Sequence, residues 1–149
     1  MTVRCYVLVC VLVLSSVEFF ATAAEDDPEV FLFSMGLDEK SELVWAMKRS
    51  RLLAVPAWQP GGTKEAPLSP NKAATVASDY VQNTLGVHGA TVFTMHILTL
   101  GFSYNDRWGY DIGFTTDPPL LSDDPRLEHV HVAMDGKVMV PEKRPRQQH

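Results

Sequence analysis

The sequence predicts an α+β domain, in which one main helix packs on a three- to four-stranded antiparallel sheet and an N-terminal helical segment precedes it. A helical apolar stripe follows a Ser-Pro start at residues 69–84. After Gly89 the apolar spacing changes to every second residue, which is the period of a strand. The Asp135-Gly136 pair then lies between two short apolar runs and indicates a hairpin.

Residues 1–24 have the composition of a secretory signal peptide. After Arg4 comes an apolar run at 5–14, which polar residues interrupt too early for a membrane span of about 20 residues. Small residues favour cleavage after Ala23 or Ala24. We therefore expect a secreted or periplasmic protein with no stable membrane span after cleavage, the alternative being an uncleaved N-terminal anchor.

Composition restricts the classes of partner. Both cysteines, Cys5 and Cys10, fall in the signal segment, so we expect no disulfide in the mature chain. The formal net charge is −5 with no basic face, which argues against nucleic acid as a partner. Residues 142–149 form a short basic tail that we interpret as a frayed terminus.

Residues 25–66 are predicted to form the N-terminal helical segment and a Pro/Gly-rich linker. Asp38 is placed as the N-cap, and Lys48, Arg49 and Arg51 come at the end of the predicted helix, as a helix dipole favours. Trp45 falls opposite the apolar stripe of this helix. Trp45 and Trp58 are therefore candidates for an exposed recognition surface. Packing on the flank of the domain is favoured, because large aromatic side chains are mostly buried.

The main helix has clear boundaries. Ser69 is a good N-cap, Pro70 suits the first helical position, and Gly86 suits the end. Ser69 and Lys72 also fit the S-x-x-K pattern of serine acyl-enzymes. The cap explains the same residues and the accompanying motifs are absent, so we expect no catalysis there. The predicted apolar face consists of Ala73, Val76, Ala77, Tyr80, Val81 and Thr84.

Four strands follow the helix, at about 91–102, 107–114, 127–134 and 137–140. The first has apolar residues on both faces, which places it in the centre of the sheet. The residues between 115 and 125 form a Pro-rich loop. A strict two-residue turn at Asp135-Gly136 pairs Val132 with Met139 and His131 with Val140, whereas a longer turn reverses the faces.

Between residues 67 and 141 lie the helix entry PLSPNKAATVASDYV, the strand RWGYDIGF and the closing hairpin HVHVAMDGKVM. With these features the stretch resembles the PepSY-type domains of secreted bacterial proteins, which are similar in build to cystatins, although its Asp-Gly turn is tighter than the family's usual version. The resemblance implies binding or restraint of partner proteins, including peptidases, outside the cytoplasm. It implies no catalytic residues.

His129 and His131 are the best candidates for chemistry. Histidines at i and i+2 of a strand point to the same face and can present two nitrogens to a metal ion. A neighbouring strand offers His96 or Asp111 as a third ligand. The simpler interpretation is a polar outer face of a half-covered sheet, since no third ligand is fixed by local spacing. Asp111 and Glu128 are also a candidate carboxylate pair, although exposed charges are common on strands.

The sequence therefore predicts a secreted, non-catalytic domain without a cofactor, which binds or restrains a partner protein or associates with itself. The alternative is a small metal-dependent enzyme or a metal-binding protein that uses His129 and His131. Phosphate-cradling glycine loops, nucleophile elbows and zinc-type cysteine pairs do not occur in the sequence. We expect residues 25–66 to cover the sheet face that the main helix leaves open; otherwise that face is available to a partner.

Overall fold

The computed structural model describes residues 26–101, 103–116 and 125–146. The predicted signal segment and most of the predicted loop at 115–125 lie outside these ranges. The described chain is mixed α+β with two antiparallel sheets, so the predicted class is confirmed and a second sheet is added to it. None of the helices in these ranges combines the length and apolar character that crossing a bilayer requires.

The first sheet has three strands in the order β1-β2-β7: β1 is Glu29–Gly36, β2 is Ser41–Lys48 and β7 is Glu142–Pro145. The short helix α1, Arg49–Ala54, follows β2. The helix predicted from Asp38 onward is therefore wrong, because that segment forms the second strand of a hairpin. The prediction of a frayed terminus is also wrong for Glu142–Pro145, which forms β7 and pairs with β2.

Asp38 explains why a helix prediction failed here. One carboxylate oxygen accepts the backbone N–H groups of Lys40 and Ser41 at 2.7 Å each, and the other accepts the Ser41 hydroxyl at 2.6 Å. These bonds close the turn between β1 and β2. Asp suits such turns as well as it suits helix N-caps, since in both it accepts bonds from nearby backbone N–H groups. The local signal was thus compatible with either structure.

The spacing of the buried residues around Trp45 distinguishes a strand from a helix in this segment. Leu43, Trp45 and Met47 occur at every second position and all three are buried, as on the inner face of a strand. Trp45 is only 2% exposed, so it belongs to no exposed recognition surface. The position of Trp45 opposite the apolar stripe of the predicted helix therefore indicated a strand.

The main helix agrees with its prediction except at Thr84, which was placed on the apolar face and is an exposed residue at the helix end. The helix α2, Pro70–Asn83, begins after Ser69, whose hydroxyl accepts the Lys72 N–H at 3.4 Å. Gly86 has φ +71°, a conformation that glycine adopts without strain, and it follows the helix end. The buried residues of α2 are Ala73, Ala77, Tyr80 and Val81.

The second sheet has four strands in the order β3-β4-β5-β6: β3 is Thr91–Thr99, β4 is Trp108–Thr115, β5 is Val130–Ala133 and β6 is Val138–Met139. The strand β3, predicted to be central, is an edge strand in the observed strand order. Apolar residues on both of its faces suggested a central position, but Val92, Phe93 and Ile97 are exposed. The third strand, predicted from residue 127, begins at Val130, since Pro125–Glu128 forms a single helical turn, α3, before β5.

The turn between β5 and β6 is longer than two residues. Ala133 donates its N–H to the Lys137 carbonyl at 3.0 Å and accepts the Gly136 N–H at 2.8 Å, with Gly136 at φ +78°. This is a three-residue turn with a glycine bulge. The strict two-residue pairing is therefore wrong and the longer-turn alternative holds. The observed pairs are His131 with Met139 and Val132 with Val138.

The inner strands β4 and β5 are covered on both faces, whereas the edge strand β3 is largely exposed. On one face, α2 packs against the strands, and the buried Tyr110 hydroxyl donates to the Leu68 carbonyl at 2.8 Å. On the other face, Phe33 and Trp45 of the N-terminal hairpin pack against His131. The segment before the linker thus covers the second face at β5, with a sheet in place of the predicted helix.

We expect Trp45→Ala to lower the free energy of unfolding by about 3–5 kcal/mol, because it empties space between the two sheets. Trp58→Ala is the matched control and should have a smaller effect, since Trp58 is only half-buried. Urea denaturation of both variants checks this. Equal losses, or a neutral Trp45→Ala, would contradict the position of Trp45 between the sheets.

Candidate metal centre

Three side chains able to bind a metal ion converge on one face of the four-stranded sheet. Asp111 lies in the middle of β4 and pairs directly with His131 of β5, so the two side chains share a face. His129 lies two residues earlier, just after α3, and its side chain meets Asp111 on that same face. The two histidines and Asp111, one of the two residues named as a third ligand, thus lie together on one face.

The distances within this cluster are short. The Nε2 atom of His131 is 3.1 Å from Oδ1 of Asp111. The Nδ1 atom of His129 is 3.1 Å from each oxygen of the same carboxylate. One ligand atom from each residue lies within 4.8 Å of the other two. His96, the other residue named as a third ligand, is not a member of the cluster in this structure.

The apolar surroundings of His131 fix its ring. It is only 5% exposed and stacks on Trp45, with ring centroids 4.9 Å apart and planes at 26°. Phe33 packs edge-on against it, with centroids 4.3 Å apart. A polar outer face is therefore wrong for His131. In contrast, 41% of the His129 side-chain surface is exposed, so the cluster opens to solvent on that side.

Of the two ring nitrogens of His131, only Nε2 has a polar partner among the described residues. Its Nδ1 atom is buried and has no hydrogen-bond partner within the part of the chain that the structure describes. Leaving a buried polar atom unpaired costs about 1–3 kcal/mol. The Nε2 atom is therefore the productive end of the ring, and it faces Asp111. Packing on Trp45 and Phe33 maintains this orientation.

The carboxyl group of Asp111 remains ionised. Burial raises its pKa, but the hydrogen bonds and charges of His131 and His129 outweigh burial and hold the pKa below the ordinary value of 3.8. A carboxylate has only acceptor oxygens, so in this arrangement both ring nitrogens facing it donate N–H. An ionised carboxylate is also the form that binds a cation.

Two glycines allow the strands to approach closely around Asp111. A Cβ added at Gly113 would lie 2.5 Å from the Thr94 hydroxyl and 3.0 Å from the Glu128 carbonyl. One added at Gly109 would lie 2.8 Å from the Val132 carbonyl. Glycine in a strand often marks such a close approach. Sequence reasoning missed this role, although glycine two residues on either side of Asp111 was its visible signal.

The donor set favours zinc. Zinc binds His nitrogen at about 2.0–2.1 Å and carboxylate oxygen at about 2.0–2.2 Å in tetrahedral geometry, which places ligand atoms about 3.3 Å apart. The two separations between Asp111 and the histidines, 3.1 Å each, are close to that value, and all three ligand atoms lie within 4.8 Å of one another. Two imidazoles with one carboxylate suit zinc and neighbouring transition metals better than Mg²⁺ or Ca²⁺, which prefer oxygen ligands throughout. Three protein ligands leave a fourth position open.

The other residues that the sequence singled out lie elsewhere. The described polar partners of Asp111 are the two histidines and not Glu128, so the predicted carboxylate pair is not formed. The Ser69 hydroxyl caps α2. Trp58 packs edge-on against Trp108 with centroids 6.3 Å apart, and its Nε1 donates to the Lys64 carbonyl at 3.0 Å.

Comparison of the chain with protein-family models, with curated proteins and with solved structures finds no match. The resemblance of residues 67–141 to PepSY-type domains stays a prediction.

We expect Gly113→Ala to destabilise the fold by about 1–3 kcal/mol, because the new methyl group meets a backbone carbonyl and Thr94 at less than contact distance. Gly36→Ala is the matched control, since a Cβ there has no neighbour closer than 3.5 Å. Urea denaturation midpoints compare the two. A Gly113→Ala variant as stable as Gly36→Ala would contradict the close approach of α3 to β4.

Proposed function

We propose that this protein is a non-catalytic, exported metal-binding protein that holds zinc through Asp111, His129 and His131. The observation that carries the proposal is the convergence of these three side chains, with ligand atoms within 4.8 Å of one another. Two of them come from adjacent paired strands and the third from the end of α3. The export signal predicted at residues 1–24 supports a place outside the cytoplasm.

The charge, the rigidity and the solvent access of the three side chains favour binding of a cation. Asp111 supplies the charge, and its low pKa keeps that charge at neutral pH. The fixed ring of His131 loses little freedom when it binds, since stacking already restricts it. His129 borders solvent and gives an ion a route to the carboxylate. Zinc binds the unprotonated nitrogen of an imidazole, so protons compete with the ion and zinc affinity falls as the solution becomes acidic.

The parent protein, prepared without a histidine tag, should bind one zinc ion per chain. At a free zinc concentration one hundred times the dissociation constant, binding adds about 2.7 kcal/mol to stability and raises the melting temperature. His129→Ala should weaken binding at least about tenfold, the size of effect that even an outer-sphere partner of a ligand can have. Asp111→Asn, which keeps the shape but loses the charge, should weaken binding at least as much.

Calorimetry with zinc chloride and thermal melts with and without zinc measure these effects. His88→Ala is the matched control, because His88 is an exposed histidine in the loop after α2 and outside the cluster. Absence of micromolar binding in the parent protein would eliminate the proposal. It would fail equally if His88→Ala weakened binding as much as His129→Ala.

A second function, self-association through β3, is favoured by the exposed edge of the four-stranded sheet. The strand β3 is nine residues long, and within the described part of the chain it pairs with β4 alone, which leaves the backbone groups of its other side without a strand partner there. It contains no Lys, Arg, Asp, Glu or Pro, the residues that commonly protect sheet edges. Phe93 is 76% exposed and Ile97 is 45% exposed. A second copy can pair with this strand without like-charge repulsion.

We expect the exported domain to form a dimer at micromolar concentration, and Ile97→Lys to shift it towards monomer, since a charge on the edge opposes strand addition. Sedimentation velocity distinguishes the two states. Gln82→Lys places the same charge on an exposed position of α2 and should leave the dimer intact. A parent protein that stays monomeric at a concentration 100-fold above the micromolar range would refute pairing through β3.

A further inference from the structure

His96, Asp111 and His131 form one row across three adjacent strands. His96 of β3 pairs with Asp111 of β4, and Asp111 in turn pairs with His131 of β5. Directly paired residues share a face, with Cβ atoms about 4.5–5.5 Å apart. The carboxylate therefore has a histidine position on each side. One is already in contact with it and the other is one strand spacing away.

We propose that His96 is a fourth ligand of the same metal ion, so that three histidines and one aspartate bind it. This inference rests on the zinc site proposed above and adds β3 to it. In this structure the His96 ring lies outside the cluster. Binding therefore requires the ring to turn towards Asp111, while the paired backbone of β3 and β4 stays as it is.

The neighbours of His96 support its placement on the metal-binding face. Thr94, two residues earlier on β3, has its hydroxyl 2.5 Å from the position of a Cβ at Gly113. Gly113 is two residues from Asp111 on β4, so its Cβ direction is that of Asp111. Thr94 thus points to the face that carries Asp111. His96, two residues further along the same strand, points there as well.

The His96 ring is free to make this movement. It is exposed, and no hydrogen bond, ion pair or ring contact of His96 occurs among residues 26–101, 103–116 and 125–146. The strand β3 is at the edge of the sheet, and none of the other strands that the structure describes lies beside its outer side. By contrast, His131 is held by Trp45 and Phe33. The site thus combines one fixed imidazole with one that can swing into place.

A fourth protein ligand changes the type of site. Zinc with three protein ligands and one water has an exchangeable position, as in catalytic centres, whereas four protein ligands close the coordination sphere, as in structural centres. Closure by His96 therefore deepens the non-catalytic assignment. It also connects the edge strand to the two strands beside it through the metal ion.

His96→Ala tests the inference, with His88→Ala as the matched exposed-histidine control. Zinc affinity measured by calorimetry should fall at least about tenfold in His96→Ala and stay unchanged in His88→Ala. The visible absorption of the Co²⁺-substituted parent should show tetrahedral coordination. In His96→Ala this spectrum should change as water replaces the ring, and added imidazole should restore it. A residue that only supports the fold would not be replaced by free imidazole.

The outcomes separate the two proposals. If the parent binds zinc and His96→Ala leaves both affinity and the Co²⁺ spectrum unchanged, His96 is not a ligand and the three-residue site stands. If the parent binds no zinc, both proposals fall. Urea denaturation of metal-free His96→Ala should match the metal-free parent, because His96 is exposed. Reduced affinity without rescue by imidazole would also overturn the ligand role.

Discussion

The packing of Trp45 on His131 is the contact on which the two sheets and the polar cluster both depend. The indole and the imidazole lie 4.9 Å apart between the sheets, and Phe33 closes the other side of the imidazole. This apolar enclosure leaves the ring one polar outlet, its Nε2 atom, which faces Asp111. Hydrophobic packing thus determines where a polar group points, and the N-terminal hairpin is part of the site although it supplies no ligand.

The parts of the fold that the sequence predicted are those with local signals. The helix α2 has its cap, its proline and its terminal glycine within the segment itself, and β4 alternates apolar and small or polar residues. The N-terminal hairpin was missed because Asp38 satisfies the rules for a turn and for a helix start equally well. Only the burial of alternate residues around Trp45 separates the two, and burial depends on a sheet that is distant in sequence.

The site was predictable in its residue types and not in its assembly. His129 and His131 share a face by spacing alone, but their meeting with Asp111 requires a particular strand register. A shift of one residue turns every side chain to the opposite face. The three-residue turn at Gly136 sets the pairing of β5 with β6, and the glycines beside Asp111 allow β5 and α3 to come close. Each of these is a backbone detail with only a faint sequence signal.

The pairing of β2 with β7 has a consequence for the order in which the molecule is assembled. Ser41 and Pro145 are partners although about a hundred residues separate them, so joining them closes a long loop at an entropic penalty that grows slowly with loop length. Folds dominated by such distant pairings form more slowly than those built from neighbours. The helix and the meander of β3 to β6 can form first, and the sheet that encloses His131 is completed only when β7 docks. Until then the edge of β2 on which β7 pairs, from Ser41 to Val44, stays open.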